Sequence, residues 1–191
     1  MPLQKTDRQT ILADCWRTFH ARGYRAASIQ ELARSAGLGK AGLLHHFGSK
    51  EELMRAVLDF ATTYYTERIL APLNDPSTGA PRARFRTFME RHLKLSRISG
   101  AGCFFANTTL ETGVEGTFGP ELLNYHKLWT AATLRFIAEN LPHVTRPEEL
   151  CELLFTGYQG SVLLYKLHRD EAYLERMVER NLNFLFPSHD A

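Results

Sequence analysis

The 191-residue chain is 44% hydrophobic and 23% charged, an ordinary globular composition, and it is long enough to bury a sizeable core. No apolar run reaches the ~18 residues of a membrane span, and no signal-peptide pattern opens the sequence, so a cytoplasmic location and no membrane partner are expected. The net charge of +2 is unevenly spread: Met1–Arg55 holds nine Lys/Arg against five Asp/Glu, and the remainder fourteen against sixteen. The basic surplus that phosphate neutralisation requires therefore sits at the start of the chain.

Ile11, Leu12, Cys15, Trp16 and Phe19 recur at helical spacing, which predicts a first helix over Thr6–Arg22. Ser28 and Glu31 have the spacing of a capping box, and Ile29, Leu32, Ala33 and Ala36 give the second helix one apolar stripe. Gly37 supplies the left-handed residue that ends it. A third helix restarts near Gly39 or Lys40 and runs to Phe47. Leu43 and Phe47 form its inner face, and Lys40, Ala41, Gly42, His45 and His46 are left for the outer face and helix start. Ser49 and Glu52 repeat the capping box and open a fourth helix, whose stripe of Leu53, Val57, Phe60, Ala61 and Tyr64 continues to about Leu70. Two short helices around a tight turn, residues 28–47, have the grammar of a helix-turn-helix.

Beyond Leu70 the prolines act as punctuation: Pro72, Pro76, Pro81, Pro120, Pro142, Pro147 and Pro187 all fall where a helix begins or ends. Between them, helices are predicted over Pro81–Arg97, Phe104–Gly113, Pro120–Asn140, Pro147–Leu167 and Glu171–Phe186, with a short loop over Asn74–Ala80. The expected fold is all-α with about nine helices: an N-terminal domain over 5–65 and a helical C-terminal domain over 66–191. Cys15, Cys103 and Cys151 are far apart and lack a second ligand at metal spacing, which argues against a disulfide framework and a zinc site. The adjacent His45 and His46 diverge on a helix and do not suggest metal either.

These motifs resemble the TetR family of bacterial transcriptional regulators. Phe19, Gly23 and Tyr24 match the end of the family's first helix. Ser28, Ile29, Leu32, Ala33, Ala36, Gly37 and Leu38 match its second, Lys40, Leu43, His46 and Phe47 its recognition helix, and Ser49, Lys50, Glu51 and Leu53 its fourth. Two positions depart. The family usually has Tyr where this chain has Leu44, and that ring commonly packs on a phosphate or sugar. It usually has Ser or Thr at the recognition-helix cap, where this chain has Gly39. The resemblance implies a homodimer, paired through the last two helices, that reads a palindromic double-stranded operator, represses transcription and is released by a small organic effector. The DNA-contacting set it implies is Ser28, Gly39, Lys40, Ala41, Gly42, Leu44, His45 and Lys50, with His46 and Phe47 as packing residues.

The C-terminal part interleaves aromatic and polar side chains, which suits a cavity with apolar walls and a few polar groups. Phe88, His92, Cys103, Asn107, Trp129 and Tyr158 are the candidate effector residues. Gly157, Gly160 and Ser161, mixed with leucines in the penultimate helix, suit close approach of another helix; completion of a monomer core is the alternative. The segment Ser99–Thr108 also resembles a Gly-Cys-x-x-x-Asn turn of one branch of the family, which offers an alternative function: a redox- or electrophile-sensing protein with weakened operator binding, centred on Cys103. Neither nucleophile elbow, phosphate loop, H-E-x-x-H nor carboxylate pair with an evident partner occurs, so no enzyme activity and no cofactor is expected.

Overall fold

A computed structural model describes residues 7–113 and 116–187, with Ser99 described by its backbone alone. Among these the secondary structure is helical, with no strand, in ten α-helices: α1 (Arg8–Arg22), α2 (Ile29–Ser35), α3 (Lys40–Phe47), α4 (Lys50–Tyr64), α5 (Ala71–Asn74), α6 (Pro81–Arg97), α7 (Phe104–Thr112), α8 (Gly119–Asn140), α9 (Pro147–His168) and α10 (Ala172–Leu185). The helix beyond the nine expected is the single turn α5, which carries Pro72 in its first turn. The expected fourth helix stops at Tyr64 and passes into a π-helical turn, Tyr65–Ile69. Tyr65, one helical turn beyond the buried Ala61, is itself buried, whereas Tyr64, which the expected stripe includes, is 37% exposed. The expected loop over Asn74–Ala80 contains a 3-10 turn, Pro76–Thr78, which Asp75 caps through the Ser77 N–H at 2.9 Å.

The chain divides into two compact units. The first comprises the residues up to Tyr64 together with Phe104–Leu123, and the second comprises Tyr65–Cys103 and the residues from Asn124 onward. The division is therefore not sequential: α7 and the first turn of α8 join the N-terminal helices. In the first unit, Leu12, Cys15 and Phe19 of α1, Leu32 and Ala33 of α2, Leu43 of α3 and Leu53, Val57 and Leu58 of α4 form the core, all but inaccessible to solvent. Burial drives the Cys15 thiol up to about 12, and its Sγ lies 3.8 Å from the Leu32 carbonyl oxygen, so it is a packing residue. Phe104 of α7 meets Trp16 and His20 edge-on at 6.0 and 5.8 Å. Phe118 meets the Tyr24 ring at 4.9 Å, and Arg55 binds Glu121 at 2.6 Å.

The second unit is built on α6, most of α8, α9 and α10. The Arg84 guanidinium, 3% exposed, donates to the carbonyls of Pro72 and Leu73 at 3.0 and 2.6 Å and satisfies the end of the short helix α5. Arg82 does the same for α10, donating to Leu182 and Phe186 at 3.1 and 2.8 Å.

Candidate functional site

The turn between α2 and α3 follows from its sequence. Ser28 Oγ accepts from the Glu31 N–H at 3.2 Å, and Glu31 Oε2 accepts from the Ser28 N–H at 2.9 Å, which completes the capping box. Those hydrogen bonds hold the Glu31 carboxyl below its ordinary pKa. At the other end Gly37 takes φ +68°; its N–H reaches the Arg34 carbonyl at 3.1 Å and the Leu38 N–H the Ala33 carbonyl at 2.8 Å. This pair of bonds is a Schellman ending, and it turns the chain sharply into α3.

In α3 the inner residues Leu43 and Phe47 are buried, whereas Lys40, Ala41, His45 and His46 are exposed and Gly42 and Leu44 are half-buried. His46 is thus on the outer side, not in the packing role expected for it. Gly39 caps α3 with extended backbone and no side-chain hydrogen bond. Open space surrounds the positions where Gly39 and Gly42 would carry a Cβ, so a second macromolecule has access to the backbone here. Ser28 is exposed, with its hydroxyl engaged by Glu31. Lys50 differs from the other expected contacts, being half-buried with its ammonium over the Tyr24 ring at 4.8 Å and 3.3 Å from the Arg25 carbonyl. Partial burial lowers its pKa, against the raising influence of Glu111 and Glu31.

Five of the six effector candidates fall in the second unit, and four of them form a chain of ring contacts. His92 stacks on Tyr158 at 3.9 Å, Phe88 lies 5.7 Å from His92, and Trp129 6.3 Å from Phe88. Cys103 is buried in the same unit, with Gln159 Nε2 3.7 Å from its Sγ. Asn107 lies on α7, which belongs to the first unit. The structure adds three residues that sequence reasoning left out of the set: Tyr65, edge-on to His92 and to Tyr125 at 5.1 Å each; Tyr125, whose hydroxyl is 3.5 Å from His92 Nε2; and Ser96, whose Oγ is 2.8 Å from the Tyr158 hydroxyl. Aromatic content marked Tyr125. Nothing local marks Ser96, and the expected stripe takes Tyr64 in place of Tyr65, which lies one helical turn beyond the buried Ala61.

The cluster is electrically neutral. Burial depresses His92 to about 3 and pushes the three tyrosines well above the usual phenol range. His92 Nδ1, Trp129 Nε1 and Thr133 Oγ1 are buried without a protein hydrogen-bond partner. Such atoms cost free energy unless a small polar molecule satisfies them. Among the described residues no group of three His, Cys, Asp or Glu side chains is arranged to hold a metal ion, and no helix is long and apolar enough to cross a membrane.

A capped helix-turn-helix with an open outer face, in a chain that also carries an all-helical second unit, defines a DNA-binding regulator of transcription. Residues 11–57 match the family model described as "Bacterial regulatory proteins, tetR family", so the chain carries an N-terminal domain of the TetR type. It is 24% identical over 187 residues to the HTH-type transcriptional repressor DhaR of Mycobacterium sp. (strain GP1), which covers 95% of this chain and 93% of that protein. The fold is similar to that of a TetR transcriptional regulator from Legionella pneumophila, with a TM-score of 0.84 at 20% identity over 97% of this chain and 100% of that one. It is also similar to Escherichia coli NemR in its reduced form, with a TM-score of 0.80 at 20% identity over 92% and 95% of the two chains.

Proposed function

We propose that this regulator is a homodimeric repressor that binds a palindromic operator through α3 and is released by a small, neutral organic molecule bound in the second unit. The observation that carries the reading is the outer face of α3, where Lys40, Ala41 and His45 are exposed beside two glycines with open space around them. Lys40 offers a charge to a phosphate or a guanine edge, the Ala41 methyl suits a thymine methyl, and His45 is the base or phosphate reader. Ser28 is a phosphate contact; Gly39, Gly42 and Leu44 shape the close approach. Lys50 joins the set only by giving up Tyr24 and the Arg25 carbonyl. A single head of this size reads a few base pairs, so two heads meeting successive major grooves about 34 Å apart are needed.

The dimer reading is supported by α9, where Leu153, Gly157, Gly160, Leu164 and Leu167 recur in steps of four and three along one face, with Leu153 and Leu167 64% and 71% exposed. Phe184 of α10 is 66% exposed. Large apolar side chains repeated on one face mark an interaction surface. The effector reading rests on the neutral aromatic cluster, whose chemistry disfavours a charged ligand. The cysteine-sensing alternative is the weaker of the two, because Cys103 is 3% exposed and redox-sensing thiols are solvent-accessible.

The test is selection of fragments of the source genome by the purified chain, followed by binding as a function of salt and sedimentation of Leu167→Lys. The expected result is a palindromic fragment, affinity that falls steeply with salt, and a Leu167→Lys monomer that binds the same fragment far more weakly. A monomeric wild-type chain, or fragments without two-fold symmetry, would overturn the dimer reading.

A further inference from the structure

The loop between α1 and α2 is held by two side chains. Glu111 of α7 accepts hydrogen bonds from two successive backbone N–H groups, those of Tyr24 at 2.7 Å and Arg25 at 2.9 Å. Lys50, the first residue of α4, donates to the Arg25 carbonyl at 3.3 Å. Gly23 makes room for the carboxylate: its φ is +82°, and a Cβ there would lie 2.9 Å from Glu111 Oε1. The chain enters the Ser28 cap of α2 three residues after Arg25, so the grip on this loop sets where α2 begins. The stretch from Phe104 to Leu123 that carries Glu111 also meets α4, since Arg55 binds Glu121 at 2.6 Å and lies over the Phe118 ring at 5.4 Å.

From this geometry we propose that Glu111 is a positioning residue for operator reading: its carboxylate fixes the Tyr24 and Arg25 amides and thereby the setting of the helix-turn-helix on α1 and α4. A carboxylate on two backbone N–H groups is a charge-assisted pair, stronger than the neutral hydrogen bonds of an ordinary loop. Glu111 lies on the helix that starts at the residue following Cys103, the last residue of a second-unit segment. The proposal rests on the DNA-reading function argued above.

The test compares wild type with Glu111→Ala and the isosteric Glu111→Gln by two readouts: hydrogen exchange at the Tyr24 and Arg25 amides, and the ratio of affinities for a fragment selected by wild type and for the same fragment scrambled. In Glu111→Ala both amides exchange at least about tenfold faster, the loss expected for charge-assisted bonds, and the affinity ratio falls by about tenfold, with Glu111→Gln between the two. Gly23→Ala, which crowds the carboxylate, lowers the ratio as well, and less so when Glu111 is already Ala. Amides that exchange as slowly as in wild type would remove the clamp. Freed amides with an unchanged affinity ratio would leave Glu111 a purely structural contact and overturn the positioning role. If wild type selects no fragment, the reading function fails and the positioning role with it, while the exchange rates still report whether the clamp exists.

Discussion

The helix-turn-helix and the aromatic cluster are fixed by interactions of opposite range. The ends of α2 and the start of α4 are set by contacts between residues a few positions apart: Ser28 with Glu31, Leu38 with Ala33, and the Glu52 N–H with Ser49 Oγ at 3.0 Å. The cluster joins Tyr65, His92, Ser96, Tyr125 and Tyr158 from four separate stretches, with Ser96 and Tyr158 sixty-two residues apart. The first site presents charge and open backbone outward, and the second hides neutral polar atoms. A reading head must keep its polar groups free for DNA, whereas an effector site holds them away from water, where each hydrogen bond counts for more.

The sharpest way to test the neutrality of the cluster is through acid stability. His92 is fully buried and its pKa is depressed from 6.5 to about 3 by desolvation. The native ring stays neutral over that interval while the unfolded chain takes up a proton. Its contribution is therefore complete above about 6.5 and is lost progressively as the pH falls toward 3, at up to ~1.4 kcal/mol per pH unit. Chemical denaturation of wild type and His92→Phe between pH 8 and pH 4 should give curves that converge on acidification, because only wild type carries this term. Parallel curves would show that the ring is not held neutral.

At the reading head the corresponding change is smaller and acts locally. Ser28→Ala removes the acceptor for the Glu31 N–H and one partner of the Glu31 carboxylate, and should cost about 1 kcal/mol. The loss should appear in urea denaturation as a lower midpoint with an unchanged slope. A variant as stable as wild type would mean that tertiary packing, not the cap, fixes the start of α2.

This difference in range also decides what could be read from the chain. Capping boxes, the Gly37 turn and the proline punctuation are written within a few residues, so α1–α3 and the limits of α6, α9 and α10 follow the expectation to within two residues. The fold class was legible for the same reason. Phe88, His92 and Trp129 were legible as aromatic and polar candidates, but their company was not. Tyr65 follows Ala61 by one helical turn, but no local pattern announces that its ring meets His92 and Tyr125. Asn107, four residues from Cys103 in sequence, falls in the other unit because the chain leaves the second unit between Cys103 and Phe104. Glu111 meets Tyr24 across eighty-seven residues, a pairing set by topology that periodicity does not encode.

The least change expected is at Gly39, and it probes how far local rules govern α3. Gly39 has φ −80° and ψ 158°, an extended conformation that any residue adopts, and a Cβ there meets nothing within 4 Å. Serine therefore fits without strain, its hydroxyl can accept from an N–H of the first turn of α3, and its Cβ narrows the freedom of the unfolded chain. Gly39→Ser should raise stability by a few tenths of a kcal/mol, seen as a small upward shift of the denaturation midpoint. The same hydroxyl would stand at the DNA-facing start of α3, so affinity for a selected fragment should not fall. A variant that is more stable yet binds more weakly would show that the bare glycine serves close approach to DNA. The open backbone at residue 39 would then be a property of the reading surface, in which the local helix rule yields to the needs of the bound state.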